Sequence, residues 1–251
     1  MKKWLCMIIC AVVSEPALAA DVPAVLQWSH RVEISVPVSG VVQTVHVETG
    51  DLVKKGQILL ALDKTSFQAK VAESRAAVSR LDEEVAEAKR NLDRVKELYD
   101  RTVIATTELD QAKLRYVQAK AMLAEAQARM KQHQNRLDDA AVRAPFDAVV
   151  VARQVESGQT VSAEFQPQTL LVLAKSGEML ARLRVSDTQI DKLKPGQPVT
   201  VTVGGKNYSG IIKVLGLEPI KAKEEVAYAV DVAFPTREQL RAGTLAVVKL
   251  P

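Results

Sequence analysis

Beyond residue 20, the side chains that could do chemistry are three histidines, three methionines and the pair Asp63-Lys64. A catalytic or structural metal needs three or four ligands at matched spacing. His30, His46 and His133 have no i, i+4 or near-neighbour pairing, and Met122, Met130 and Met179 are equally scattered. Met130 and His133 are three apart on an apolar stripe, where packing is the expected role. Asp63-Lys64 resembles a biotin or lipoate attachment site, since a carrier needs a lysine on a tight exposed turn. A helical pattern begins directly after it, which denies a tethered cofactor room to swing and predicts a solvated lysine at a strand end. The two cysteines, Cys6 and Cys10, lie in the first twenty residues, so the remaining chain has no disulfide and no thiolate nucleophile. The sequence contains neither a Gly-Lys-Ser/Thr phosphate loop nor a Gly-x-Ser-x-Gly elbow, and Gly204-Gly205 predicts a hairpin turn. These residues predict no enzyme, no cofactor and no metal.

The elements that would position any site come into view through internal repetition. Residues 40–53 read GVVQTVHVETGDLV and residues 148–161 read AVVVARQVESGQTV. At an offset of 108, Val41, Val42, Val47, Glu48, Gly50 and Val53 meet Val149, Val150, Val155, Glu156, Gly158 and Val161. Apolar runs follow each copy, ILLAL at 58–62 and LLVLA at 170–174. Both halves are rich in β-branched residues, with turn signals around Gly50 and Gly158. Neither half alone has enough strands for a stable core, so the two must pack face to face around one interior.

The insert between them has the period of a coiled coil. In its first arm Val71, Val78, Val85, Leu92 and Tyr99 alternate with Ser74, Leu81, Ala88 and Val95 at 3-4 spacing. The second arm runs Leu109, Ala112, Tyr116, Ala119, Leu123, Ala126, Met130, His133, Leu137 and Ala140. Neither arm contains Gly or Pro. Arms of ~35 residues predict an antiparallel hairpin about 50 Å long, with its tip at Tyr99 to Thr107. Thr65/Ser66 is the predicted N-cap region, and Pro145 closes the base.

The first residues read as an export signal. Lys2 and Lys3 precede an apolar run from Trp4 to Val13, and Ala17-Leu18-Ala19 supplies a small-x-small cleavage site near Ala19/Ala20. The run is too short to span a bilayer, which takes about 20 apolar residues. The formal charge of +4 is spread among interspersed acids and bases, with no basic block carrying aromatics, so no nucleic-acid partner is expected. In the last third, Met179 to Val185 and Val199 to Val203 alternate as strands. Ser186 to Gln189 reads as a capping box and Lys194-Pro195-Gly196 as a turn. Leu193 to Gly196 is echoed 47 residues later by Leu240 to Gly243, and Tyr208 to Leu217 and Ala227 to Phe234 supply further strands.

With this order of parts the chain resembles the membrane fusion protein family, the HlyD-like periplasmic adaptors. SGVVQTVHVETGDLVKKGQILLALD, from residue 39, is similar to the family's first lipoyl-like half. VRAPFDAVV at 142–150 is similar to its second-half signature. Ala148 stands where that signature usually has Gly, so a turn needing positive φ there would be strained by roughly 1 kcal/mol. Adaptors that dock on TolC-type channels carry Arg-x3-Leu-x6-Ser around the hairpin turn, and Arg94, Leu98 and Ala105 occupy those positions. Ala105 lacks the serine hydroxyl, for which Thr106 or Thr107 is the expected substitute.

The resemblance implies an α+β fold: a lipoyl-like barrel-sandwich hybrid interrupted by a long antiparallel α-helical coiled-coil hairpin, followed by a β-barrel domain. The corresponding division is a signal peptide at 1–20, an N-terminal segment at 21–35, sandwich halves at 36–64 and 142–174, a hairpin at 65–141 and a barrel at 175–251. The membrane-proximal domain of longer members is expected to be missing, since the chain ends at Pro251. The implied role is a periplasmic adaptor between an inner-membrane transporter, of RND, ABC or MFS class, and a TolC-type outer-membrane channel. It would self-associate into a ring with its partners, through weak contacts of polar flanks. Two other readings stay open: a structural periplasmic coiled coil without transport partners, and a biotinyl or lipoyl carrier. At the tip, the alternative for Arg94 and Leu98 is a solvated arginine beside a leucine that covers the hairpin end.

Overall fold

A computed structural model describes residues 20–164, 168–222 and 225–250. The export signal expected at 1–20 therefore lies almost wholly outside the described residues. In chain order the elements are β1 (Ala20–Trp28), β2 (Arg31–Ile34), β3 (Gly40–Val45), β4 (Leu52–Val53), β5 (Ile58–Leu62), α1 (Thr65–Asp100) and α2 (Thr106–Asp139). There follow β6 (Ala141–Arg143), β7 (Ala148–Arg153), β8 (Thr160–Val161), β9 (Leu171–Lys175), β10 (Glu178–Ser186) and α3 (Asp187–Ile190). The last are β11 (Pro198–Val203), β12 (Lys206–Ala222), β13 (Glu225–Pro235) and β14 (Leu245–Leu250). The chain divides into two units, 31–174 and the pair of segments 1–30 with 175–251.

The first unit is the barrel-sandwich hybrid with its hairpin. Two four-stranded sheets, β2-β9-β7-β4 and β6-β5-β3-β8, enclose a core that includes Val42, Leu59, Leu60, Leu62, Val150, Leu170, Leu171 and Leu173. β3 and β4 moved by 108 positions fall on β7 and β8, and with β2 matched to β6 and β5 to β9 one sheet order becomes the other, so each sheet is built from both halves. The pairing repeats with it: Gly40↔Val161 and Val41↔Thr160 correspond to Ala148↔Val53 and Val149↔Leu52. The turn bonds are reciprocal as well. The amide of Gly50 donates to the Val150 carbonyl at 2.8 Å, and that of Gly158 to the Val42 carbonyl at 2.8 Å. Both glycines have φ in the left-handed region, 99° and 88°, which explains why Gly persists in both copies of the turn.

Two expectations are corrected here. Ala148 sits in no positive-φ turn; it is the fully buried first residue of β7, where extended backbone accepts alanine without strain. Its counterpart Gly40 also lacks positive φ, and a Cβ there would meet Leu62 Cδ1 at 3.3 Å. At the hairpin base, Asp63 replaces Thr65/Ser66 as the capping group. Its Oδ1 accepts the Thr65 amide at 2.9 Å and the Thr65 hydroxyl at 2.7 Å. Lys64 is the N-cap residue and Thr65 the first of the helix, so the short Asp63 carboxylate reaches two residues on. The backbone bond, then the hydroxyl, hold the Asp63 carboxyl below its ordinary value of 3.8.

The second unit is a closed six-stranded barrel, β1-β10-β13-β12-β11-β14. Met179, Ala181, Leu183 and Val185 of β10 point inward with Val199, Val201 and Val203 of β11 and Ala246, Val248 and Leu250 of β14. Closure leaves no edge strand to template aggregation. Segment 21–35 is divided: its first part closes the barrel through β1, and its last part, β2, pairs with β9 in the sandwich. The 47-residue echo is structural too. Gly196 N donates to Ile212 O and Ile212 N to Gln197 O, while Gly243 N donates to Leu26 O and Leu26 N to Thr244 O. Ser186 caps α3 with the expected box, its amide donating to Gln189 Oε1 at 3.2 Å. Gly204 and Gly205, at φ 55° and 82°, make the expected hairpin turn between β11 and β12.

Candidate functional site

The hairpin is held by the seam that its heptads define. Val71, Ser74 and Leu81 of α1 and Leu109 and Ala112 of α2 are buried, and the seam positions between them are partly covered. Alanine at alternate seam steps of α2, except at His133, lets the helices close up. Ser74, a hydroxyl on this dry surface, bonds back to the carbonyls of Lys70 and Val71 at 2.9 and 3.0 Å. His133 lies at 3.1 Å, through Nδ1, from the Lys70 carbonyl across the seam, consistent with packing rather than ligation. His46 Nε2 sits 3.1 Å from Thr44 Oγ1 in the sandwich, and Met179 is buried in the barrel. Among the described residues no group of three or more His, Cys, Asp or Glu side chains could hold a metal. Lys64 precedes α1 in helical conformation, so it is not on a tight free turn.

The tip is built by interrupted helix geometry. Arg101 caps α1, and the amides of Thr102 and Val103 turn back to the carbonyls of Tyr99 and Leu98 at 2.8 and 3.1 Å. Thr102 takes φ 63°, an uncommon value for a β-branched residue. Chain direction then reverses, and Ala105, extended at φ −77° and ψ 153°, is the N-cap of α2. A serine at that cap would satisfy an amide of the first turn; alanine cannot, and only the Ala105 carbonyl accepts the Glu108 amide, at 3.1 Å. Thr106 does not substitute as a cap: its hydroxyl lies 3.4 Å from the Tyr99 hydroxyl.

The three residues singled out by sequence are brought to one end of the hairpin. Arg94 Nη2 donates to Asn91 Oδ1 at 2.7 Å, which steadies the guanidinium along the helix while leaving most of its donors open. Leu98 is off the seam and exposed, and Tyr99, the last seam position, is half uncovered because α2 has only just begun opposite it. Val103 is a residue the sequence reading missed. It is 66% exposed at the very turn. Its signal was a β-branched residue inside the heptad break, belonging to neither seam series. The tip thus offers apolar side chains beside an arginine fork, an arrangement suited to a helix–turn partner with free carbonyls. Among the described residues no helix is long and apolar enough to cross a membrane.

Comparison with known proteins agrees with this architecture. Residues 30–175 match the family model for the CzcB-like barrel-sandwich hybrid domain. The macrolide export protein MacA of Yersinia pestis is 31% identical over 227 residues, covering 84% of this chain and 61% of that protein. The pyoverdine export membrane fusion protein PvdR of Pseudomonas aeruginosa is 30% identical over 230 residues, covering 84% and 58%. This chain therefore spans less than two thirds of the length of these relatives. The structure of the membrane fusion protein Spr0693 from Streptococcus pneumoniae R6 superposes with TM-score 0.74 at 17% identity, over 93% of this chain and 99% of that one, a likeness of fold. The chain belongs to the membrane fusion protein family, through a CzcB-like barrel-sandwich hybrid domain that a long helical hairpin interrupts.

Proposed function

We propose that this protein is a periplasmic adaptor for efflux or secretion, linking an inner-membrane transporter of RND, ABC or MFS class to a TolC-type outer-membrane channel. The observation that carries the reading is the hairpin itself. Helices of 36 and 34 residues end in a turn that leaves Leu98 and Val103 exposed, with Arg94 one helical turn before Leu98. A purely structural hairpin has no need of exposed apolar residues at its end. The export functions in the names of MacA and PvdR support the same reading.

Arg94, Leu98 and Ala105 form the docking end, with Arg94 donating to carbonyls of a partner turn and Leu98 making the dry contact. Self-association draws on a further feature of α2. Leu114 and Val117 are 56% and 60% exposed, and Ala121, Ala124 and Ala128 continue the stripe at 3-4 spacing on the side away from α1. This stripe supports an apolar component in lateral contacts between copies, beside the polar flanks.

The test is export by variants of the tip. Leu98→Ser and Arg94→Asp abolish export of the cognate compound while helicity and melting temperature stay near wild type, because exposed residues contribute little to the fold. Normal export by both variants would remove the docking role. Secretion is checked by N-terminal sequencing of periplasmic material, which should begin near Ala20.

A further inference from the structure

The outer face of the barrel carries an apolar patch beside an open trough. In β1 and β14, Val25 lies opposite Leu245 and Pro23 opposite Val247. Val25, Leu245 and Val247 are 40%, 76% and 38% exposed, so β1 and β14 bring together a block of four apolar residues on a face that should be polar. On the other side of β1, β10 sets Arg182 opposite Val25 and Arg184 in the next outward position along. Ile220, from the long far arm of β12, joins Pro23, Val25, Gln27, Arg182 and Arg184 in lining an open trough of about 630 Å³. That volume lies within the range of small-molecule sites, about 300–1,000 Å³.

The two arginines differ in what they are free to do. Arg182 is committed: Nε and Nη2 donate to Asp231 Oδ1 and Oδ2 at 2.6 and 2.7 Å, a fork on a carboxylate that is itself buried. Arg184 is exposed, and among the described residues no carboxylate pairs with it. Single exposed apolar residues are ordinary on any surface. An adjacent set of them, roofed by an isoleucine and rimmed by an uncommitted guanidinium, is suited to one ligand chemistry. The apolar floor takes a hydrocarbon or aryl body, and the planar fork takes a carboxylate or sulfonate head through two parallel hydrogen bonds.

We propose that the trough between β1, β10 and Ile220 binds an anionic amphiphile, with Arg184 as the head-group residue and Pro23, Val25 and Ile220 as the apolar wall. The site lies wholly in the barrel unit, and it does not depend on the hairpin tip or on the export reading. A cationic amphiphile of the same length would be repelled by the Arg184 guanidinium, since the charge of Arg182 is already matched by Asp231.

The probe is 8-anilinonaphthalene-1-sulfonate, followed by fluorescence on the purified full chain. Dodecanoate and dodecyltrimethylammonium serve as competitors below their micellar concentrations. Saturable binding at one site, displaced by dodecanoate and not by dodecyltrimethylammonium, is the expected result. Arg184→Gln should weaken both the probe and dodecanoate by about tenfold, the loss of one charge-assisted pair. Val25→Asp should abolish binding, and Arg75→Gln on α1 should leave it unchanged. Melting temperatures of Arg184→Gln and wild type should agree, since Arg184 supports no contact in the fold. Non-saturable binding, equal displacement by the two detergents, or wild-type affinity in Arg184→Gln would each overturn the assignment.

Discussion

Arg153 Nε donates to Glu48 Oε2 at 3.1 Å, joining two residues that lie 105 positions apart in the chain. The same guanidinium reaches Glu156 Oε2 at 2.8 Å and the Val155 carbonyl at 2.8 Å. Glu48 and Glu156 are equivalent positions of the repeat, so one arginine on the second half ties together the matching turns of both. Its side chain is only 21% exposed, whereas both carboxylates are open to solvent.

This asymmetry predicts unequal effects of mutation. Arg153→Ala should lower the melting temperature by a few degrees, because it strips three acceptors at once. Glu48→Gln alone should change it little, since exposed ion pairs contribute weakly. The Glu156 carboxyl is held below its ordinary value of 4.5, chiefly by the hydrogen bond from Arg153. A depressed carboxyl pKa stabilises the folded state fully above 4.5, and the contribution is lost as pH falls through the folded value. Thermal melts from pH 6 downward should show wild type losing stability below about pH 4.5, with a shallower loss in Glu156→Gln.

Ala105→Ser should strengthen the hairpin. It places an acceptor at the N-cap of α2, where about 1 kcal/mol is typical for a hydroxyl over alanine. Slower hydrogen exchange at Thr107 and Glu108, with a higher melting temperature, is the expected readout. Unchanged exchange at both amides would show that the turn does not use the cap.

The seam and the outer stripe of the hairpin should separate in urea melts. Leu81, buried between the helices, should cost about 2–3 kcal/mol as Leu81→Ala. Leu114, 56% exposed on α2, should cost no more than about 0.5 kcal/mol as Leu114→Ala in the isolated chain. The same Leu114→Ala variant should lower self-association when sedimentation is measured at high protein concentration.

Removing the hairpin should leave a folded β protein without export activity. The excision has to stop at Asp139, because Ala140 is fully buried and Ala141 and Val142 form β6 against β5. The ends are already adjacent: the Leu62 amide donates to the Ala140 carbonyl at 2.8 Å. A short Gly-Ser bridge replacing residues 66–139 therefore closes a small loop at low entropic cost. Near-ultraviolet circular dichroism and a cooperative melt should persist, and a protein that fails to fold would show that the helices support the sandwich.

Much of this architecture was legible before any coordinates. The 3-4 spacing from Val71 to Tyr99 and from Leu109 to Ala140 marked the seam, since a period of seven places apolar residues on one helix face whatever else the chain does. The match of Val42, Glu48 and Gly50 with Val150, Glu156 and Gly158 marked the sandwich, because a shared turn geometry needs glycine in both copies. Arg94, Leu98 and Ala105 could be placed at one end of the hairpin from the heptad break between them. Val103 was less visible, because exposure at a turn depends on the φ of its neighbour Thr102 and not on periodicity.

What only the tertiary structure decided was which distant strands pair. Arg31 to Ile34 bears no resemblance to Ala141 to Arg143, yet β2 and β6 hold equivalent places in the two sheets. Strand pairing runs through backbone hydrogen bonds, which leave no mark on side-chain identity. For the same reason nothing in Ala20 to Trp28 announced that it closes the barrel against β10 and β14. The apolar block beside the trough followed from that closure, since Val25 and Leu245 become neighbours only when the first and last strands meet. Local periodicity is written in the sequence because each residue feels its own helix or strand, whereas a surface assembled from residues 220 positions apart exists only once the chain has closed on itself.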